Sequence, residues 1–375
     1  MKKVLSDDDI EKVMKKAKER TVRTQNIEYT PEMILKRIDT KEIQINPDYQ
    51  RNHRWNDITS SRLIESLILN IPIPLIYLSQ DIDLDDETGE NISRYSVIDG
   101  QQRLTAIVNF FKNNLVLTEL ETLEELNGLV LKDLPPFLIR RLEDRSIKFL
   151  RVDSTIDNEL KYYIFEKLNR GSVNLEAQEL RNSIYRGKFN DLLKKLAKYP
   201  KFRQLLQIKD DDDENLKVKK MEDIEIVLRF FAFAFDKNYL RFKNEGLEKF
   251  LSNYMESMNE RVKKEVNLLD KLEQDFYKTI DFIENNFGEQ AFAKYNQKNI
   301  TNFNKSVFDA LTTSIYTSVN IENSVITEDF KKAYRELFND SKFMNSISGS
   351  TTNTDKINYR IEAVIKLLKK YNIAK

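Results

Sequence analysis

Ser96-Val97-Ile98-Asp99-Gly100-Gln101-Gln102-Arg103-Leu104 changes character at its centre. Tyr95 to Ile98 reads as an apolar strand, Asp99-Gly100 ends it, and Gln101 to Phe111 reads as a helix. Glycine is scarce, with eight in 375 residues, so this one asks for a reason. A strand–turn–helix junction presents free backbone N–H groups and the positive end of a helix dipole, which suits an anion or a phosphate. Gln101, Gln102 and Arg103 add side-chain donors there, and an arginine can grip phosphate with two parallel bonds. Asp99 is placed to orient Arg103 or to hold a hydrated Mg²⁺. The same residues also describe an ordinary turn with a capping aspartate.

Outward from this junction the front of the chain reads as mixed α/β. Thr30-Pro31-Glu32 starts a helix, Glu42 to Ile45 is a short strand, and Ile58 to Leu69 is an amphipathic helix. Leu75 to Leu78 is a strand separated from Tyr95–Ile98 by an acidic insertion, Asp81 to Glu90. Pro136 opens a helix to about Leu142, and Ile147 to Val152 is a last strand. Ser6-Asp7-Asp8-Asp9 caps a helix reaching about Arg20. Six of the seven prolines lie in the first 136 residues and none follows Pro200. Proline breaks helix interiors, so the remainder, with its helical periodicity, reads as a helical lobe. The expected layout is an α+β chain, with a mixed α/β lobe over 1–153 and an all-α lobe over 154–375.

Composition removes whole classes of chemistry. Lys and Arg number 61, as do Asp and Glu, so the formal charge is zero. Neither lobe has the basic bias of a dedicated nucleic-acid binder, although Arg140, Arg141, Arg145 and Lys148 form a local candidate patch. No cysteine is present, which excludes thiolate nucleophiles and cysteine-bound metals. The single histidine, His53, excludes sites built on two imidazoles, HNH nucleases among them. No apolar run spans a bilayer and the N-terminus has no signal-peptide core, so the expectation is a soluble, cytoplasmic protein without a membrane partner.

Two further clusters carry hydrogen-bonding side chains. In Asn46-Pro47-Asp48-Tyr49-Gln50-Arg51-Asn52-His53-Arg54-Trp55, the arginines suit a polyanion, and Tyr49 and Trp55 suit either base stacking or anchorage to the core. Leu168-Asn169-Arg170-Gly171 ends one helix, and Glu179-Leu180-Arg181-Asn182 lies in the next; a structural helix–turn–helix hinge accounts for most of this.

Taken in order, these motifs resemble the N-terminal domain of GmrSD-type, modification-dependent restriction enzymes. The likeness rests on Tyr49-Gln50-Arg51 with Trp55, Leu63-Ile64-Glu65-Ser66 with Ile71-Pro72-Ile73-Pro74, Ile98-Asp99-Gly100-Gln101-Gln102-Arg103-Leu104, Leu168-Asn169-Arg170-Gly171 and Glu179-Leu180-Arg181-Asn182. It spans about 46–185 and continues weakly through Asp223-Ile224-Glu225-Ile226-Val227-Leu228-Arg229-Phe230. That family resembles the ParB/sulfiredoxin fold, in which a G-x-x-R motif binds nucleotide phosphate, and Gly100-Gln101-Gln102-Arg103 matches that motif.

The resemblance implies an NTP-binding, NTP-hydrolysing sensor in a phage-defence system directed at modified DNA. Arg103, Arg51, Gly100, Tyr49, Asn169 and Arg170 would hold the nucleotide. Gln50, Gln101 and Gln102 would orient phosphate or attacking water, and Asp99 would hold Mg²⁺ or Arg103. Family members usually add a C-terminal HNH nuclease, which needs at least two histidines, so that nuclease is expected to be absent. The helical lobe would be a different effector, a partner-docking bundle or a DNA clamp, and a separate nuclease or effector chain is a candidate partner. The alternatives are a non-catalytic DNA-binding or regulatory module switched by nucleotide, and, ranked last, a nuclease built on a carboxylate–Mg²⁺ site. A homo-oligomer is compatible with all three.

Overall fold

The structure is a computed structural model that describes residues 22–45, 55–84, 91–153, 158–169, 176–209, 215–236, 246–295, 300–349 and 351–373. The chain divides into two compact units, 1–175 and 176–375. The helix expected over Ser6–Arg20 lies outside the described residues.

The first unit is built on a five-stranded mixed sheet: β1 (Thr24–Tyr29), β2 (Ile43–Gln44), β3 (Ile76–Leu84), β4 (Asn91–Asp99) and β5 (Ile147–Val152), in the order β1-β5-β3-β4-β2. β1 is antiparallel to β5, β5 parallel to β3, β3 antiparallel to β4 and β4 parallel to β2. The helices are α1 (Pro31–Asp39), α2 (Asp57–Ile68), α3 (Gln101–Phe111), α4 (Pro136–Glu143) and α5 (Asn158–Asn169). Their starts are written in the sequence. Thr30 Oγ1 accepts from the Met33 N–H at 3.4 Å ahead of Pro31, and Asn56 Oδ1 accepts from the Thr59 N–H at 2.8 Å. Leu63, Ile64 and Leu67 of α2 and Leu104, Ile107 and Phe110 of α3 bury against Ile76, Leu78, Val97 and Phe149 of the sheet. Trp55 packs, partly buried, against this core. α5 packs against β4.

Two elements depart from the sequence expectation. β1 has no sequence signature, because its residues are mostly exposed and lack alternation; backbone pairing with β5 along an edge defines it instead. The acidic stretch is the arm of a hairpin, with Asp81 opposite Arg94 and Asp83 opposite Ile92. Aspartate is poor in strands by propensity, yet cross-strand bonds override so weak a preference.

Glu65 of α2 is buried, and its carboxylate accepts the backbone N–H groups of Glu121 (3.2 Å), Thr122 (2.7 Å) and Leu123 (2.8 Å). Burial alone would raise its pKa, but these three donors outweigh burial and hold the carboxyl below its ordinary value. The loop after α3, which buries Leu115, Leu117 and Leu120, is thereby clamped to α2.

The second unit is mostly helical: α6 (Ala177–Ile184), α7 (Lys188–Leu196), α8 (Pro200–Leu205), α9 (Leu216–Lys219), α10 (Glu222–Phe235), α11 (Gly246–Lys264), α12 (Leu268–Phe287), α13 (Lys305–Ser318), α14 (Glu328–Glu336), α15 (Ser341–Ser346) and α16 (Thr354–Lys370). It is not all-α. β6 (Ala293–Tyr295) and β7 (Ile300–Phe303) form a short antiparallel hairpin, too brief to leave a period-2 signal. α11 runs on to Lys264, and Asn267 in the left-handed region (φ 68°) separates it from α12.

α13 is the centre of this unit, buried continuously from Ser306 to Ile315. It carries Asp309, which has no solvent exposure and lies between two guanidinium groups. Arg229 of α10 donates to it from Nε (3.0 Å) and Nη2, and Arg360 of α16 from Nη2 (2.6 Å). Arg360 Nη1 also donates to the carbonyls of Ser346 (3.1 Å) and Thr351 (2.8 Å). Arg181 of α6 meets Glu225 (2.9 Å) and Glu248 (2.6 Å), and Lys305 meets Glu222 (3.1 Å) and Glu225 (3.4 Å). Four cations thus face four anions, the balance that burying charge requires. Burial would raise Glu225, but Arg181, Lys305 and Arg229 override it and hold the carboxyl down at about 2.

Each of these clamps can be tested by removing its charge. Glu65→Gln should cost about 1.5–3 kcal/mol at pH 7, the value of hydrogen bonds to a charged group. Because the folded carboxyl lies below its unfolded value, its contribution is present above the unfolded pKa and fades as pH falls through the folded one. The variant and the parent should therefore converge on acidification, read by urea unfolding monitored through Trp55, the single tryptophan. In the second unit, Asp309→Asn should cost about 3–5 kcal/mol, since it strands two buried cations; far-UV circular dichroism during urea unfolding measures it.

Candidate functional site

The junction between β4 and α3 is shaped by three local features. The β3–β4 register pairs Leu78 with Val97 and then Tyr77 with Asp99, so Ile98 is an extra residue on β4. Such a bulge bends its strand and re-aims the residues beyond it. Gly100 then adopts φ 93° and ψ 14°, the left-handed region that glycine occupies without strain. A Cβ at this position would lie 2.9 Å from Ile76 Cγ1, 3.1 Å from Arg103 Nη2 and 3.2 Å from Arg103 Nε. The backbone is pressed between the floor of β3 and the arginine three residues on.

The Leu104 N–H donates to the Gly100 carbonyl at 2.9 Å, which closes the first turn of α3. The N–H groups of Gln101, Gln102 and Arg103 precede that bond, and the N-cap, being glycine, offers no side chain to cap them. Asp99 stands one residue before the N-cap, and its carboxylate turns to Arg103. Its Oδ2 accepts from Arg103 Nη2 at 2.7 Å, with the two side chains 18% and 12% exposed. Gln101 and Gln102 sit in the first turn, half-buried, and Gln102 Oε1 is buried without a hydrogen-bond partner among the described residues. An anion arriving here would meet backbone donors, a helix dipole and a pre-oriented guanidinium.

Of the residues singled out from sequence, the structure therefore brings together Asp99, Gly100, Gln101, Gln102 and Arg103. Asn169 is the last residue of α5. Tyr49, Gln50, Arg51, His53 and Arg170 lie outside the described residues. For Mg²⁺, Asp99 fits poorly as a sole protein ligand, since its Oδ2 is engaged by a cation; no group of three or more acidic or imidazole side chains suited to a metal occurs among the described residues. In the basic patch, Arg145 is engaged: its Nε donates to the Leu67 carbonyl at the end of α2 (2.9 Å), and Nη1 to Asn70 Oδ1. Arg181, Glu225 and Arg229, from the later motifs, belong to the buried network of the second unit. Ile76 and the bulge at Ile98 are the contributors that sequence reading missed, because neither leaves a compositional trace.

Fold and junction together define an α+β chain whose mixed sheet feeds a donor-rich strand–helix turn. Residues 32–186 match the family model of the GmrSD restriction endonuclease, N-terminal domain, and this stretch belongs to that domain family. Comparison with curated proteins gives no match, and neither does comparison with solved structures. Among the described residues no helix is long and apolar enough to cross a membrane.

Gly100 and Gly128 offer a controlled comparison. Both have positive φ, but a Cβ at Gly128 would meet nothing within 4 Å. Gly128→Ala should cost about 1 kcal/mol for backbone strain alone, and Gly100→Ala at least ~1 kcal/mol more for overpacking. Urea midpoints read through Trp55 fluorescence measure the difference.

Proposed function

We propose that the first unit binds a nucleoside triphosphate at the Gly100 junction and hydrolyses it, as the sensing component of a restriction system directed at modified DNA. The observation that carries this reading is the uncapped start of α3, with Arg103 held beside it by Asp99. The membership of residues 32–186 in a restriction-enzyme domain family supports the setting.

In this reading the N–H groups of Gln101 and Gln102 and the guanidinium of Arg103 bind phosphate oxygens. They act where negative charge gathers as the terminal phosphoryl group leaves. The side chains of Gln101 and Gln102 orient the attacking water. Water adds to the γ-phosphorus and the bond to the β–γ bridging oxygen breaks, yielding nucleoside diphosphate and inorganic phosphate. The water's proton passes to solvent. Mg²⁺ carried on the nucleotide would supply charge neutralisation at the β- and γ-oxygens. The Tyr49-Gln50-Arg51 and Asn169-Arg170 segments are proposed to complete the nucleotide's surroundings. Modified DNA and a cutting module outside these residues are the proposed partners, because one histidine cannot furnish an HNH centre within them.

The test is a panel of ATP, GTP, CTP and UTP with Mg²⁺, measured for binding and phosphate release with and without 5-hydroxymethylcytosine DNA. Arg103→Ala should lower affinity by about 1.5–3 kcal/mol with the fold intact, and Arg103→Lys should recover part of it, keeping charge without the planar fork. Unchanged binding in a folded Arg103→Ala chain overturns the site. Binding without phosphate release would leave a switch module with no catalytic step.

A further inference from the structure

We infer that Asp99 is a positioning residue, a latch that folds the Arg103 guanidinium back over Gly100 and holds it beside the first N–H groups of α3. The inference rests on the nucleotide reading above and assigns one residue's work within it. Gly100 is the N-cap of α3, so Asp99 stands one residue outside the position whose side chain caps a helix. Glycine gives α3 no capping side chain at that position, and the carboxylate one residue back takes Arg103 Nη2 at 2.7 Å. The pairing stabilises the guanidinium in one orientation while the backbone donors stay available.

Gly100 belongs to the same device. The guanidinium lies so close to it that Nη2 and Nε would be 3.1 and 3.2 Å from a Cβ. Ile76, 2.9 Å from that same position, closes the other side. A side chain at residue 100 would make the guanidinium give by a few tenths of an ångström and Ile76 shift, so the glycine leaves room for the arginine as well as allowing its own dihedral angle. With Nη2 committed to Asp99, the fork keeps Nη1 for an incoming oxygen, and less rotamer freedom is lost on binding.

Three roles for Asp99 make opposite forecasts. A latch acting through Arg103 predicts that Asp99→Ala weakens nucleotide binding by roughly tenfold, the size of one charged hydrogen bond. Asp99→Asn, which keeps an acceptor, should lose less. In an Arg103→Ala background, Asp99→Ala should change affinity by no more than about twofold, because the residue through which it acts is gone. A counter-ion that merely competes with the phosphate predicts tighter binding in Asp99→Ala. A metal ligand predicts the same loss with and without Arg103, and no rescue by asparagine.

The experiment is a double-mutant cycle on the full chain with ATP, GTP, CTP and UTP, each with Mg²⁺, unfolding being checked through Trp55. It is paired with NMR of arginine side chains in the ligand-free chain, which reads rotation about the Arg103 Cζ–Nη bonds. Rotation should be slowed in the parent and freed in Asp99→Ala. Tighter binding in Asp99→Ala, an equal loss without Arg103, or free rotation in the parent each overturns the latch. Should none of the four nucleotides bind, the nucleotide reading falls, and the rotation measurement alone decides the latch.

Discussion

A carboxylate sealed from water needs cations at contact distance, and Asp309 at the centre of the second unit has two. That constraint organises the helices around it. Arg229 brings α10, Arg360 brings α16, and the Arg360 bonds to the Ser346 and Thr351 carbonyls fix the chain leading into α16. Desolvating one carboxylate with two guanidinium groups leaves excess positive charge, which the neighbouring Glu225, itself shared with Arg181 and Lys305, offsets. Apolar packing supplies the bulk of the stabilisation, through rings such as Phe230, Phe276 and Phe308. Ions that must meet their partners restrict how those rings can be arranged.

The family-like motifs divide on this basis into two kinds. Glu65, Arg181, Glu225 and Arg229 are charged, yet every one is consumed by internal partners. Their chemistry is structural: a clamp on the loop after α3 in one unit, a charge network in the other. Asp99 and Arg103 are paired as well, with each other, but the turn they form with Gly100, Gln101 and Gln102 leaves the first N–H groups of α3 without a cap from the N-cap glycine. A functional reading belongs with the second kind, since a group already satisfied by the fold has little left to offer a ligand.

The cost of such a turn is local. Gly100 in the left-handed region, the extra residue Ile98 in β4 and an uncapped helix start each forgo stability that a plain strand–helix connection would have. The clamp at Glu65 and the core beneath α3 hold the junction in place regardless. Local deficits supported by surrounding order are common where a protein handles ligands.

Much of the architecture was legible in the chain itself. Proline distribution, helix-starting Thr30-Pro31 and Asn56, and helical periodicity beyond Pro200 determined a mixed front and a mostly helical back, because they act through neighbours a few residues apart. Asp99-Gly100-Gln101-Gln102-Arg103 marked the junction for the same reason: its geometry is that of one turn. Tertiary structure alone decided the rest. β1 exists by pairing with a strand over a hundred residues away, β6 and β7 by pairing with each other, and the acidic hairpin by register. Which partners Arg181 and Arg103 find also lay beyond sequence. Both are arginines in helices, but one finds Glu225 and Glu248 in distant segments and disappears from solvent, while the other finds Asp99 one turn away and stays at the open end of its helix. Long-range proximity, which sequence spacing does not encode, separates the Arg181 network from the local Asp99–Arg103 pair.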